Sequence, residues 1–138
     1  MLVIQFGFDP DDPSSPHRFT NHPENRVVYT GTHDHDTARG WYESLPADQL
    51  EQVDQVLRTE GIADREPWWA LIALTLRSPA RLAMMQMQDV LGLGSEGRMN
   101  APGRASGNWR WRLEHMPSRS AARRLRGLTE AAGRLSAG

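Results

Sequence analysis

Residues 29–37 read YTGTHDHDT, so two histidines and two aspartates alternate at positions 33 to 36, directly after a short run of β-forming residues. Imidazoles and carboxylates at this spacing could ligate a metal ion. Asp36 could instead cap a following helix while its neighbours stay solvated. Asp34 could also be a working carboxylate at the end of a buried strand, holding hydroxyl groups and offsetting positive charge that develops during a reaction. A plain polar turn accounts for Asp36 but not for two carboxylates two residues apart, which repel each other unless each has a use.

The metal reading is the easiest to test against spacing. A T-H-x-H-x-D-H run at a strand end is a dinuclear signature of the metallo-β-lactamase kind. Thr32, His33 and His35 match it, but Thr37 and Ala38 stand where the next Asp and His are required. His17, His22 and His115 show no ligand spacing either. No metal or cofactor is therefore expected, and a metal hydrolase built on His33 and His35 is the least favoured function. The strand-end carboxylate fits the general rule that parallel β/α barrels carry their working residues at the C-terminal ends of their strands.

The elements that must position Asp34 can be read from pattern. Residues 2–6 (LVIQF) and 26–32 (RVVYTGT) are short apolar runs that predict buried strands, separated by a loop over 9–25 rich in Pro, Asp, Ser and Asn. A helix is expected from about Thr37 to Ser44, capped by Asp34 or Asp36. Leu50, Val53, Val56 and Leu57 give residues 47–60 one apolar face, and Gly61 stops that helix. Pro67 opens a further helix, PWWALIALTLRS, apolar nearly all round and so buried or packed on two sides. Residues 80–91 suit helix or strand equally, 92–108 form a Gly-rich loop, and 118–136 predict a terminal helix weakened by Gly127. This order, without hairpin signals, points to parallel strands joined through helices.

Composition bounds the rest. The chain has 138 residues and a formal net charge of -1, which gives no nucleic-acid or membrane signature. All basic residues are Arg, and Cys is absent, which removes disulfides, thiol nucleophiles and cysteine zinc sites. No apolar run is long enough for a transmembrane helix, and MLVIQFGFDPDD lacks the basic flank of a signal peptide, so a cytoplasmic location is expected.

The segment VVYTGTHDHDTARGWYESL resembles the signature of amylomaltases, the 4-α-glucanotransferases of the α-amylase clan, whose usual form is YTGTHDNDT. MQMQDVLGLGSEGRMNAPG resembles the same family's strand and loop with Gln-Asp, Leu-Gly-Leu and Arg-Met-Asn-x-Pro-Gly, and GNWRWR its Asn-Trp-x-Trp-Arg close. VIQFGF and the PHRF…PEN stretch resemble its preceding strand and loop, so the similarity runs colinearly from Leu2 to about Leu128. The resemblance implies the C-terminal part of an α-amylase-type (β/α)8 barrel, with parallel strands near 2–6, 26–32 and 82–88. Residues 1–138 are then one incomplete barrel segment of about three β/α units.

It also implies retaining transfer of an α-1,4-glucan segment to the 4-hydroxyl of an acceptor glucan. Such chemistry needs a nucleophile and an acid/base carboxylate ~5–5.5 Å apart, and in this family both come from strands earlier than those present here. Asp34 matches the family's third carboxylate, the transition-state stabiliser, and His33 the adjacent sugar-binding histidine. Asn100 matches the Asn of the Arg-Met-Asn loop near the acceptor side, while Phe8 and Asp12 fall near cleft-lining residues. His35 replaces the usual Asn and, beside two carboxylates, is expected to titrate near neutral pH. Without nucleophile and acid/base the chain by itself is expected to be an inactive fragment whose exposed strand edges favour aggregation. The alternative is a catalytically silent carbohydrate-binding or scaffold module. Trp41, Tyr42, Trp68 and Trp69 are read as packing residues, and so are Trp109 and Trp111, which alternate with Arg110 and Arg112; in water-exposed form that alternation could instead bind glucan or nucleic acid. The basic cluster at 119–128 is read as a solvated helix face.

Overall fold

A computed structural model describes residues 1–135. Strands β1 (Leu2–Val3), β2 (Val27–Tyr29) and β3 (Leu82–Met84) form one parallel sheet in the order β1-β2-β3. Val28 lies at its centre, fully buried, opposite Leu2 on one side and Ala83 on the other. Each strand sits where the sequence places it but is shorter than expected. Residues 4–6 turn into a 3-10 segment, and residues 30–32 leave the ladder after the Thr30 N–H donates to the Met84 carbonyl at 3.2 Å. The expected strand over 82–88 ends at Met84 and gives way to the short helix α4 (Met87–Val90). The segment that suited helix or strand equally thus contains both.

Helices α1 (Ala38–Ser44), α2 (Ala47–Thr59) and α3 (Pro67–Arg77) join β2 to β3. α1 is capped by Thr37 and not by either aspartate: the Thr37 hydroxyl accepts from the Gly40 N–H at 3.0 Å. α2 turns Val53 and Leu57 into the core, with Leu50 and Val56 half-buried, and Gly61 follows it at φ 67°. α3 begins on Pro67 as expected and is buried from Trp69 through Leu76. Its Leu71 and Leu74 pack with Ile4, Phe8, Val53 and Leu57, while its Ile72 and Leu76 pack with Trp69 and Val90. A helix apolar on both sides is therefore the hub, sandwiched between the α2 layer and the later elements.

Helix α5 (Arg119–Ala131) runs through Gly127 unbroken; the last position of the expected 118–136 helix lies outside the described residues. Leu125, Leu128 and Ala132 pack against the second face of α3. The basic cluster is not uniformly solvated. Arg124 pairs with Asp64 and Glu66 and lies over the Trp69 ring, 4.6 Å from its centroid. Arg134, just past α5, donates to the carbonyls of Leu76, Ser78, Ala80 and Arg81, closing the C-terminal end of α3.

The long 9–25 loop is tied down by polar side chains. His17 Nδ1 accepts from the Val3 N–H at 3.0 Å, Asn21 Nδ2 donates to the carbonyls of Pro13 and Ser15, and buried His22 bridges Ser78 Oγ and the His17 carbonyl. Its ends thereby fix the turn after β1 against the start of β3. Among the described residues β1 and β3 each have one unpaired edge, and Phe6, Leu82 and Met84 are exposed.

Candidate functional site

The loop 31–37 leaves the C-terminal end of β2 and enters α1, and three groups hold it from beneath. Asp89, fully buried on α4, accepts from Thr30 Oγ1 at 2.5 Å and from the Ala38 N–H at 2.7 Å. One carboxylate thus pins the first residue after the strand and the first turn of the helix. Burial raises its pKa above the ordinary aspartate value, against the lowering effect of those donors. Gln5 donates to the Asp36 carbonyl at 3.2 Å and Gln86 to the Thr32 carbonyl at 3.2 Å. Gly31 fits between these two amides; a Cβ there would stand 2.8 Å from Gln5 Nε2.

The two aspartates of the motif do different work, which resolves their repulsion. Asp36 faces the protein: Oδ1 accepts from the Thr37 N–H at 2.8 Å and Oδ2 from Ser95 Oγ at 2.6 Å. Gly40 leaves room for that arrangement, since a Cβ would come within 2.6 Å of Asp36 Oδ1. Asp34 faces outward, its side chain 47% exposed. Its Oδ1 accepts from Asn100 Nδ2 at 2.6 Å, and His33 Nε2 lies 3.4 Å away. The backbone is held as firmly: Arg98 donates to the Asp34 carbonyl at 2.8 Å, and the Asn100 N–H donates to the His33 carbonyl at 3.0 Å. Among the described residues nothing bonds its second oxygen, Oδ2.

His35 turns back on its own loop. Its Nδ1 accepts from the Thr32 N–H at 3.0 Å and lies 2.8 Å from Thr32 Oγ1, while its ring meets Phe6 edge-on at 4.9 Å. A backbone N–H can only donate, so Nδ1 carries no proton here and the ring is neutral. Burial pushes its pKa below the usual histidine value, with the Asp34 charge as a smaller opposing effect. The expected titration near neutrality is thus displaced downward.

The structure places His33, Asp34 and Asn100 together, with His35 behind them. Phe8 and Asp12 do not join them. Phe8 is buried in the core beside Trp41, ring centroids 5.6 Å apart, and contributes one edge to a cleft of about 440 Å³ lined also by Gln5, Asp9 and Trp41. Asp12 is exposed in the loop, accepting from Ser14 Oγ at 3.0 Å. Trp69 is buried, Trp68 packs under Arg39, and Tyr42 donates to Asp54, all as packing residues. Trp109 departs from expectation: it lies in irregular backbone, where alternation has no meaning, and is 54% exposed. Asp89 is the residue that sequence reading passed over, and Trp109 the one it read as packing. The Gln-Asp pair signalled Asp89 only as part of a motif, and nothing local marks its burial. Among the described residues no group of three or more His, Cys, Asp or Glu is placed to hold a metal ion, and no helix is long and apolar enough to cross a membrane.

A family profile described as 4-alpha-glucanotransferase matches residues 1–118. A 4-alpha-glucanotransferase from Thermus thermophilus is 48% identical over 143 residues, covering 98% of this chain and 28% of that protein. The chloroplastic/amyloplastic 4-alpha-glucanotransferase of Solanum tuberosum is 44% identical over 139 residues, again covering 98% of this chain but 24% of the relative. Among solved structures, the amylomaltase from Streptococcus agalactiae in complex with acarbose superimposes with a TM-score of 0.89 at 27% identity, over 99% of this chain and 27% of that one. The chain therefore spans about a quarter of the length of the proteins it matches, and three parallel strands with their helices are a fragment of an amylase-type barrel.

Proposed function

The chain belongs to the 4-alpha-glucanotransferase family, and from that premise we propose that it supplies the hydroxyl-holding, charge-stabilising side of a glucan-transfer site. The observation that carries this reading is Asp34: an outward carboxylate at the C-terminal end of β2, fixed by Asn100 at 2.6 Å with one oxygen left over. Asp34 Oδ2 accepts hydrogen bonds from hydroxyl groups of the glucose being transferred. His33, whose side chain is half exposed beside it, takes a further hydroxyl. As the glycosidic bond opens and the sugar ring gains positive character, the nearby negative charge lowers the barrier, because it is already oriented and needs no rearrangement. In this reading Asn100, on the loop after the neighbouring strand β3, lies toward the acceptor side.

In this reading the donor and acceptor are α-1,4-glucans, and the acarbose complex of the Streptococcus agalactiae amylomaltase supports that ligand class. Residues 1–138 form part of one barrel domain, the last three units of it, and the nucleophile and acid/base carboxylates belong to strands of the barrel other than these. The 138-residue chain alone performs no transfer.

The test is a chimera in which residues 1–118 replace the matching segment of the Thermus thermophilus relative. Asp34→Asn in that chimera should lower turnover on maltooligosaccharides by ~10²–10³ while leaving the fold intact. Near-normal transfer by the Asp34→Asn chimera overturns the assignment.

A further inference from the structure

Trp109 is the only non-glycine residue with a positive φ among the described residues, at 61°. L-residues with bulky side chains avoid this left-handed region, and where one is held there the surroundings must impose it. The imposing contacts are visible. The Trp109 N–H donates to the Met99 carbonyl at 2.7 Å and closes the neck of the loop 99–109. Within that loop Asn108 Oδ1 accepts from the Ala101 N–H at 2.9 Å and its Nδ2 donates to the Arg104 carbonyl at 2.9 Å. The result sends the indole outward, 54% exposed, with its ring centroid 5.1 Å from that of His33 at a tilt of 39°. Core packing does not explain a strained and half-exposed tryptophan. The same loop delivers Asn100 to Asp34, so one closed piece of chain brings an amide and an indole to the two sides of the His33–Asp34 pair.

We propose that Trp109 is a stacking platform for a glucose ring of the glucan held at Asp34, a proposal that rests on the reading of Asp34 given above. A pyranose ring carries its hydroxyls around the edge and C–H groups on its faces. Asp34 and Asn100 offer polar partners to the edge, and an exposed indole offers a flat apolar surface to the face, releasing water from both. The His33 ring backs the indole and keeps it from collapsing onto the loop.

The experiment is electrophoresis of the full 138-residue chain through native gels with and without glycogen, comparing the wild type with Trp109→Phe, Trp109→Ala, Trp109→Gly and Asp34→Asn. Glycogen should retard the wild type, and Trp109→Phe should keep most of that retardation because it retains a flat ring. Trp109→Ala and Trp109→Gly should weaken apparent glucan binding about tenfold. Trp109→Gly relaxes the backbone at φ 61°, so a native far-UV spectrum with lost retardation separates loss of the platform from loss of the fold. Retardation lost in Asp34→Asn but unchanged in Trp109→Gly overturns the platform and leaves the Asp34 reading standing. Retardation lost in Trp109→Gly but unchanged in Asp34→Asn leaves a glucan-binding indole but overturns its placement against a glucose held at Asp34. No retardation of the wild type overturns the platform.

Discussion

Asn100 donates from Nδ2 to Asp34 Oδ1 at 2.6 Å across 66 residues of sequence. The bond joins the loop after β2 to the loop after β3 and its helix α4, two neighbouring strand ends of one parallel sheet. It leaves Asp34 with a fixed side-chain rotamer and a single open oxygen.

Removing that donor should cost function more than stability. In the chimera, Asn100→Ala is expected to lower turnover about tenfold, the low end for a hydrogen bond to a charged group because the pair is exposed. Asn100→Asp, which sets a like charge against Asp34, should lower it further. Steady-state kinetics of the two variants gives the order; an Asn100→Asp enzyme faster than Asn100→Ala counts against the geometry.

Asp89 should behave as a buried clamp. Asp89→Leu leaves Thr30 Oγ1 and the Ala38 N–H without a partner and is expected to destabilise the chain by ~2–3 kcal/mol in urea unfolding. Asp89→Asn keeps an acceptor for the Ala38 N–H and should cost far less. The pH dependence has a definite sign. Because burial raises the folded pKa of Asp89, the folded state binds this proton more tightly than the unfolded chain. That contribution is full below the unfolded aspartate value of ~3.9 and fades as pH rises through the raised folded value. The difference in stability between wild type and Asp89→Asn should therefore shrink or reverse as pH rises through that window.

His35 carries the opposite sign. Burial favours its neutral ring in the folded state, so its contribution is full above ~6.5 and is lost as pH falls through that value toward the lower folded pKa. His35→Asn restores the residue usual in the resembling motif and can still accept from the Thr32 N–H. Urea melts from about pH 7.5 down to about pH 5 should show a steeper loss for wild type than for His35→Asn; parallel curves would refute the buried neutral imidazole.

The outer edge of β3 is exposed and apolar, with Leu82 and Met84 55% and 51% accessible. Strand edges of that kind template association. Replacing both with Lys should raise the fraction of monomer in analytical ultracentrifugation of the isolated chain without changing its helical content. An unchanged oligomer distribution would mean that association proceeds through another surface.

How much of this was legible beforehand follows from which interactions are local. The Pro67 start and all-round burial of α3, the inward face of α2 with its Gly61 stop, and the positions of β1 and β2 are written in spacing and turn chemistry within a dozen residues, whereas β3 was legible only through the family resemblance. The His33–Asp34 pair and Asn100 could be nominated from short segments and their resemblance. What those segments do not contain is each other. Thr37, not Asp36, caps α1 because Ser95, 59 residues away, engages Asp36. The strand over 82–88 stops at Met84 because the chain turns into α4, and that brings Asp89 beneath Thr30 and Ala38. Trp109 reads as a packing residue until the loop that closes on Met99 turns it outward. The sequence by itself determined β1, β2 and the helices α1, α2, α3 and α5 to within a few residues, and its family resemblance nominated Asp34. Only the tertiary structure decided which groups hold it and which surface stands beside it, since those depend on hydrogen bonds between strand-end loops that no local pattern encodes.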